Sequence, residues 1–164
     1  MRKGMSRWII VGSVASLALA ACGSDEPADT AATSVADGET SAAPVSNACP
    51  VEGCMITIVD AVAEGDEIAV TWETNFVPDV SKNHIHIYWD IYTADQVTAD
   101  AEARGEQQGE WVPTADVPTY VTESAVSVSE RGDSTTLCAT AGDRDHIVID
   151  SSIVSCFDVS DLLS

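Results

Sequence analysis

The sequence NHIHIYWDIY at residues 83–92 decides the fold, because apolar side chains alternate in it with polar and phenolic ones. Side chains of a β-strand point alternately to its two faces, so this stretch predicts a strand with two chemically different faces. The apolar face is expected to enter the core, and the opposite face is expected to meet solvent. The apolar face comprises Ile85, Ile87, Trp89 and Ile91, and the opposite face comprises His84, His86, Tyr88, Asp90 and Tyr92.

Alternating stretches before and after this strand extend the β pattern along the chain. Residues 56–58 and 68–72 alternate on either side of the turn sequence EGDE at 64–67, and so predict an opening hairpin. Three further short strands are predicted towards the C-terminus, because apolar residues there again recur at every second position. These stretches are VTESAVSVSE at 121–130, STTLCATAG at 134–142 and IVSCFDV at 153–159.

The alternation stops after the third strand, at TADQVTADAEARG. Thr93 can cap a helix, Gln96 follows three residues later and Gly105 suits a helix end, so a short helix is predicted over about 94–104. The whole pattern predicts an all-β antiparallel sandwich with one helical insert. Its order of strands resembles immunoglobulin-like and fibronectin type III-like domains, although the cysteine–tryptophan spacing of true immunoglobulin domains is missing.

The N-terminus has the pattern of a secretory signal, in which basic residues precede a short apolar run. That run, WIIVGSVASLALAA at 8–21, is shorter than the roughly 20 residues that a membrane-spanning helix needs. The ending LAAC at 19–22 resembles the lipobox of bacterial lipoproteins. The resemblance implies removal of the signal peptide 1–21, lipid attachment to Cys22 and anchoring to a membrane on the extracytoplasmic side of the bacterial cell envelope.

Composition divides the remaining chain into a tether and one domain. The segment that follows Cys22, up to residue 48, is rich in Ala, Ser, Thr and Asp and has no aromatic residue, which predicts a disordered tether over 22–48. Residues 49–164 are then one domain with a single core. Loss of the signal leaves four basic residues against 27 acidic ones, a formal charge of −23. Such a charge excludes nucleic acid as a partner.

Four cysteines follow Cys22, and an even number in an exported domain predicts two disulfides. The favoured pairing joins Cys49 to Cys54 across a small turn and Cys138 to Cys156 across neighbouring strands. The alternative pairing joins the two N-terminal cysteines to the two C-terminal ones. In either case no thiol is left over to act as a nucleophile.

The chain has three histidines, and two of them share a face of the third strand. The Cα atoms of His84 and His86 are expected to lie about 6.6 Å apart, so that both rings can hold one ion. His146 is the candidate third ligand, and copper or zinc is the candidate metal. The pattern is similar to that of copper–zinc superoxide dismutase, but that family uses more histidines than this chain has. Carboxylates that can join the site are Asp90, Asp143 and Asp145.

The same face has two other interpretations. The sequence favours an ordinary solvent-exposed strand face, whose polar side chains pair across the sheet. A second interpretation is a ligand-binding groove with Tyr88, Tyr92, Trp111 and Tyr120 as contact residues. Motifs of hydrolases, P-loop proteins and zinc proteases are missing from the sequence, which predicts a non-enzymatic protein. The expected function is a lipid-anchored binding or surface-structural protein for an unknown protein or small molecule, with copper or zinc binding as the alternative.

Overall fold

The computed structural model describes residues 48–163, whose strands form two antiparallel sheets. One sheet has the order β1-β2-β5 and the other has the order β4-β3-β6-β7. The predicted all-β sandwich is confirmed. The strands are β1 (Ile56–Glu64), β2 (Glu67–Thr74), β3 (His84–Trp89), β4 (Val112–Thr114), β5 (Thr119–Val121), β6 (Thr136–Gly142) and β7 (Ser155–Asp158).

The main core lies between the two sheets. The apolar face of β3 enters it as predicted, and Ile85, Ile87 and Trp89 are almost completely buried. The opposing sheet contributes apolar residues from β1, β2 and β5. In the hairpin of β1 and β2, alternation places these residues on one face. These residues include Ile56, Ile58, Ile68, Val70, Trp72 and Tyr120. The contact between the two faces fixes the orientation of β3.

The opposite face of β3 is also buried, which corrects the prediction that it meets solvent. Tyr88 packs there against Val97, Val148 and Cys138 in a second, smaller core. Side chains from the connection between β3 and β4 border this core, so the strand has a layer of protein on both sides. His84 and His86 lie on the same face and have no exposed surface. The prediction failed because the covering segment has no strand or helix period of its own.

That covering segment contains much less helix than predicted. The only α-helix in residues 48–163 is α1 (Ala101–Arg104), and it ends at Gly105, which has the left-handed conformation expected of a helix end. Residues 93–100 form turns instead of the first half of the predicted helix. The turns direct Val97 and Thr98 inward, where both are fully buried. Packing of this segment against β3 therefore overrides its helical capping signals.

The predicted strand at 121–130 is wrong beyond its first residue, because β5 (Thr119–Val121) ends at Val121. The chain beyond β5 forms two 3-10 turns, at Ser124–Val126 and Val128–Glu130. Their geometry follows from one carboxylate, because Glu67 accepts hydrogen bonds from the Thr122 hydroxyl, the Ser127 hydroxyl and the Val128 N–H. Hydrogen bonds of this kind compete with the ladder of a sheet.

Both disulfides of the favoured pairing are present, Cys49–Cys54 and Cys138–Cys156. The second joins residues that face each other in the register of β6 and β7. No helix within residues 48–163 has the length and apolar character needed to cross a membrane. Cys22, the signal peptide and most of the predicted tether lie outside the described residues.

The end of β3 at Trp89 generates a prediction about two isoleucines of the same alternating stretch. Ile87 has no exposed surface, whereas Ile91, expected on the same face, lies beyond the strand and is 47% exposed. We expect Ile87→Ala to lower the free energy of unfolding by about 2–5 kcal/mol, because it leaves a cavity. Ile91→Ala is the matched control and should change it by about 0.5 kcal/mol or less. Denaturant titration measures both; equal losses would contradict the placement of these side chains.

Candidate metal centre

The three histidines meet at one end of the four-stranded sheet. His84 Nε2 lies 3.1 Å from His86 Nε2 and 2.9 Å from His146 Nδ1. One nitrogen from each ring falls within 4.8 Å of the others. Among residues 48–163 this is the one group of three or more His, Cys, Asp or Glu side chains with such spacing. The structure therefore brings together all three histidines that the sequence proposed as metal ligands.

Gly142 makes room for one of these rings. It pairs with His84 in the register of β3 and β6, and a Cβ atom built on it would overlap the imidazole of His86. Any larger residue at this position would displace the ring or the strand. No motif in the sequence marks this glycine, although a glycine within a strand is itself a signal of a close approach.

The loop after β6 places the third histidine, and one carboxylate organises it. Asp143 is buried and its Oδ1 accepts hydrogen bonds from the N–H groups of Asp145 and Ile147, at 2.8 and 3.0 Å. His146 between them has a φ of 61°, in the left-handed region that non-glycine residues rarely adopt. Its carbonyl accepts a hydrogen bond from the Ala99 N–H. This strained backbone is held from both sides, a pattern found at functional sites.

His86 is fixed in orientation and in tautomer. Its Nδ1 lies 2.8 Å from the Val97 carbonyl oxygen, which can only accept a hydrogen. The hydrogen of a neutral His86 ring therefore lies on Nδ1, and Nε2 presents a lone pair to the cluster. The indole of Trp111 stacks on the face of the His86 ring, with ring centroids 3.9 Å apart and planes 20° apart. Metal-binding histidines are commonly oriented by a carbonyl in this way.

Burial keeps two of the rings neutral. Desolvation lowers the pKa of His86 to about 3, against a partial opposing effect of the hydrogen bond to Val97. Desolvation likewise lowers the pKa of His84 to about 4, and the charge of His146 acts in the same direction. The carboxylates of Asp143 and Asp79 oppose this shift only in part. Since a metal ion binds the neutral imidazole, both rings have the correct protonation state at neutral pH.

The short contacts between these neutral rings restrict where the ring hydrogens can lie. Because His86 Nε2 carries a lone pair, its 3.1 Å contact needs a hydrogen on His84 Nε2. His84 Nδ1 is then a bare acceptor, and this buried atom has no hydrogen-bond partner in residues 48–163. The Lys82 backbone raises the His84 pKa in part, but Nδ1 meets no group with hydrogen-bond geometry. A cation between the rings lets both present lone pairs and keep Nδ1 protonated.

The carboxylate candidates have other partners. Asp90 accepts a short hydrogen bond from Ser134, and the Asp145 carboxylate pairs with Arg144 at 3.2 Å. Asp143 Oδ1 holds the loop N–H groups described above. None of these three belongs to the cluster of close ligand atoms found in residues 48–163. The site that the structure offers is therefore built from imidazoles.

The residues proposed to line a ligand groove are divided between the two sheets. Tyr88 is buried beside the histidines, and Tyr92 and Trp111 are partly buried at the border of the same small core. Tyr120 lies instead on the three-stranded sheet, where it stacks on Trp72 with ring centroids 5.9 Å apart. Trp111 is the member of this group that touches the histidines.

The chain matches no protein-family model, no curated protein and no solved structure.

The position of Gly142 generates a prediction about packing against His86. Gly142→Ala should lower the free energy of unfolding by about 1–3 kcal/mol, because the added methyl group overpacks the imidazole. The same substitution in a His86→Ala background should cost about 0.5 kcal/mol or less, since the overlapping ring is gone. Denaturant titration of the four proteins of this double-mutant cycle measures the coupling. Equal costs in both backgrounds would show that the ring lies elsewhere.

The lowered pKa values of His84 and His86 generate a prediction for the metal-free protein. Unfolded histidines bind protons below about pH 6.5, whereas these two stay neutral in the folded state until about pH 4 and 3. The unfolded state therefore binds more protons, and stability falls as the pH falls. The loss between pH 7 and pH 5 should be on the order of 2–4 kcal/mol. Unfolding titrations in chelator measure it, and nitrogen NMR of the rings should show both neutral at pH 5; titration near pH 6.5 would contradict this.

Proposed function

We propose that this protein binds one transition-metal ion, copper or zinc, and carries it in the bacterial cell envelope, on the extracytoplasmic side. The ligands are His84 Nε2, His86 Nε2 and His146 Nδ1. The observation that carries the proposal is the meeting of three imidazole nitrogens within 4.8 Å of one another, two of them on fully buried rings.

The chemistry of the ligands favours copper or zinc over other metals. Imidazole nitrogen suits both, whereas magnesium and calcium prefer oxygen ligands. The four cysteines of the domain form disulfides and so supply no thiolate. Two nitrogens that bind one ion at about 2.0–2.1 Å lie about 2.9–3.4 Å apart, depending on the angle between the bonds. The observed separations of 2.9 and 3.1 Å fall within that range, so binding requires little rearrangement.

The charge of the protein supports the same role. A mature chain with 27 acidic and four basic residues attracts cations to its surface and raises their local concentration. Carboxylates alone bind such ions weakly and without selection, so the histidine cluster is what makes the binding specific. This proposal narrows the broader expectation of a non-enzymatic, lipid-anchored binding protein to one class of ligand.

Metal binding is tested directly by titration of the purified protein, prepared without a histidine tag. We expect one Cu²⁺ or Zn²⁺ per chain, bound in the presence of excess magnesium and calcium. Loss of an oriented ligand should weaken binding more than the roughly 10–100-fold typical of outer-shell changes, so His86→Ala should lower affinity by about 100-fold or more. Calorimetry and elemental analysis after dialysis measure affinity and stoichiometry.

The control separates the site from the acidic surface. Asp145→Asn removes one negative charge next to His146 without removing a ligand of the proposed site, and should leave the affinity nearly unchanged. Absence of bound metal in the wild type, or an equal loss in both variants, would overturn the proposal.

The envelope location is tested at Cys22. The lipobox-like ending of the signal implies that this thiol carries lipid, and a doubly or triply acylated protein remains stably on a membrane. We expect mass spectrometry of the protein from its native host to find an acylated N-terminal Cys22, and Cys22→Ser to incorporate no labelled fatty acid. Ser24→Ala, which changes a neighbouring residue outside the lipobox-like sequence, is the control. An unmodified thiol at Cys22 in the mature wild-type protein would rule out the lipid anchor.

A further inference from the structure

We infer that the ion is copper in a square arrangement, with the three histidines at three corners and the corner opposite His84 open to a small exogenous ligand. This inference rests on the proposed function and deepens it by naming the metal, its geometry and the place where a further ligand binds.

The spacing of the rings is unequal, with His84 in the middle. Its ring centroid lies 5.0 Å from that of His86 and 4.7 Å from that of His146, whereas the outer two are 6.0 Å apart. The ligand nitrogens follow the same order, since His84 Nε2 makes both short contacts, at 3.1 and 2.9 Å. The three rings therefore form a bent row, with His84 in the middle and His86 and His146 at the two ends.

That bent arrangement fits copper better than zinc. Nitrogens at neighbouring corners of a square lie about 2.9 Å apart for bonds of 2.0–2.1 Å, and nitrogens at opposite corners lie about 4.1 Å apart. In a tetrahedron all separations are equal, at about 3.3–3.4 Å. Cu²⁺ prefers the square arrangement, whereas zinc prefers the tetrahedral one. Nitrogen sites in general also bind Cu²⁺ more tightly than Zn²⁺. The two short contacts and the one wide pair match the square.

The fourth corner has no His, Cys, Asp or Glu ligand from residues 48–163. The cluster in residues 48–163 contains no fourth His, Cys, Asp or Glu, and the nearby Asp143 Oδ1 is occupied by two backbone N–H groups. An ion with three protein ligands then completes its coordination with water or a small anion, as zinc does in catalytic sites.

Trp111 borders the open corner. The corner opposite His84 faces the gap between the other two rings, and the indole lies 3.9 Å from the His86 centroid and 5.5 Å from the His146 centroid. His84 and His86 are fully buried, whereas Trp111 and His146 are partly exposed, so solvent reaches the site from their side. The indole therefore limits the size of the ligand that can enter.

The test uses the full-length protein loaded with one equivalent of Cu²⁺ and titrated with sodium azide. Electron paramagnetic resonance should show an axial signal with splitting from three nitrogens, and azide should change this signal and add a charge-transfer band. Zinc in tenfold excess should not displace the copper. A copper signal that azide leaves unchanged, or displacement by zinc, would overturn the inference while leaving metal binding intact. A protein that binds no metal would overturn the proposed function itself.

A second arm tests the role of the indole as the border of the open corner. Trp111→Ala should strengthen the binding of a larger anion, thiocyanate, by about tenfold relative to azide, a difference of about 1.4 kcal/mol. Trp72→Phe, a change in the opposite sheet, should leave the ratio of the two anions unchanged. An unchanged ratio in Trp111→Ala would show that the ligand enters elsewhere, and would overturn this placement of the open corner.

Discussion

The burial of β3 on both of its faces is the constraint on which the rest of the structure depends. Its aliphatic side lies between the two sheets, and its imidazole side lies beneath the connection from β3 to β4. Removal of water from the second face lowers the pKa values of His84 and His86, so that both are neutral, and leaves their ring nitrogens in contact with each other instead of with water. Had that face been exposed, water would have satisfied every nitrogen and the same sequence would have produced an ordinary strand surface.

Local alternation was sufficient to predict the architecture, and it failed where distant residues decide the outcome. The period of two in β3 identified the strand and its inner face, and the adjacent disulfide pairing followed from two neighbouring strands. Burial of the outer face of β3 depends on Val97 and Trp111, which come from a stretch of sequence with no regular hydrophobic period. Packing of Val97 against β3 also explains why turns replace the first half of the predicted helix. The hydrogen bonds that Glu67 accepts from Ser127 and Val128 explain why 3-10 turns replace a predicted strand.

The ligands of the candidate site could be predicted from the sequence, but the groups that orient these ligands could not. Few histidines and a spacing of two residues identified His84 and His86. His146 was the one histidine left, in a connection between strands that a sandwich can place beside the third strand. The Val97 carbonyl is a backbone group that every residue possesses, so no sequence signal marks it as the partner of His86. The left-handed backbone at His146 is equally unpredictable from the sequence. It accompanies hydrogen bonds to the Asp143 carboxylate, and any loop rich in Asp can form bonds of this kind.

The disulfide between Cys138 and Cys156 encloses both Gly142 and the loop that bears His146. Closing this loop covalently removes conformations from the unfolded chain and holds β6 beside β7. Its closure requires an oxidant, which the cytoplasm lacks and the outside of the cell provides. In the extracytoplasmic location that we propose, assembly of the proposed third ligand is thereby coupled to disulfide formation: a chain with reduced thiols would hold the paired histidines of β3 but lack the cross-link that helps to secure their partner.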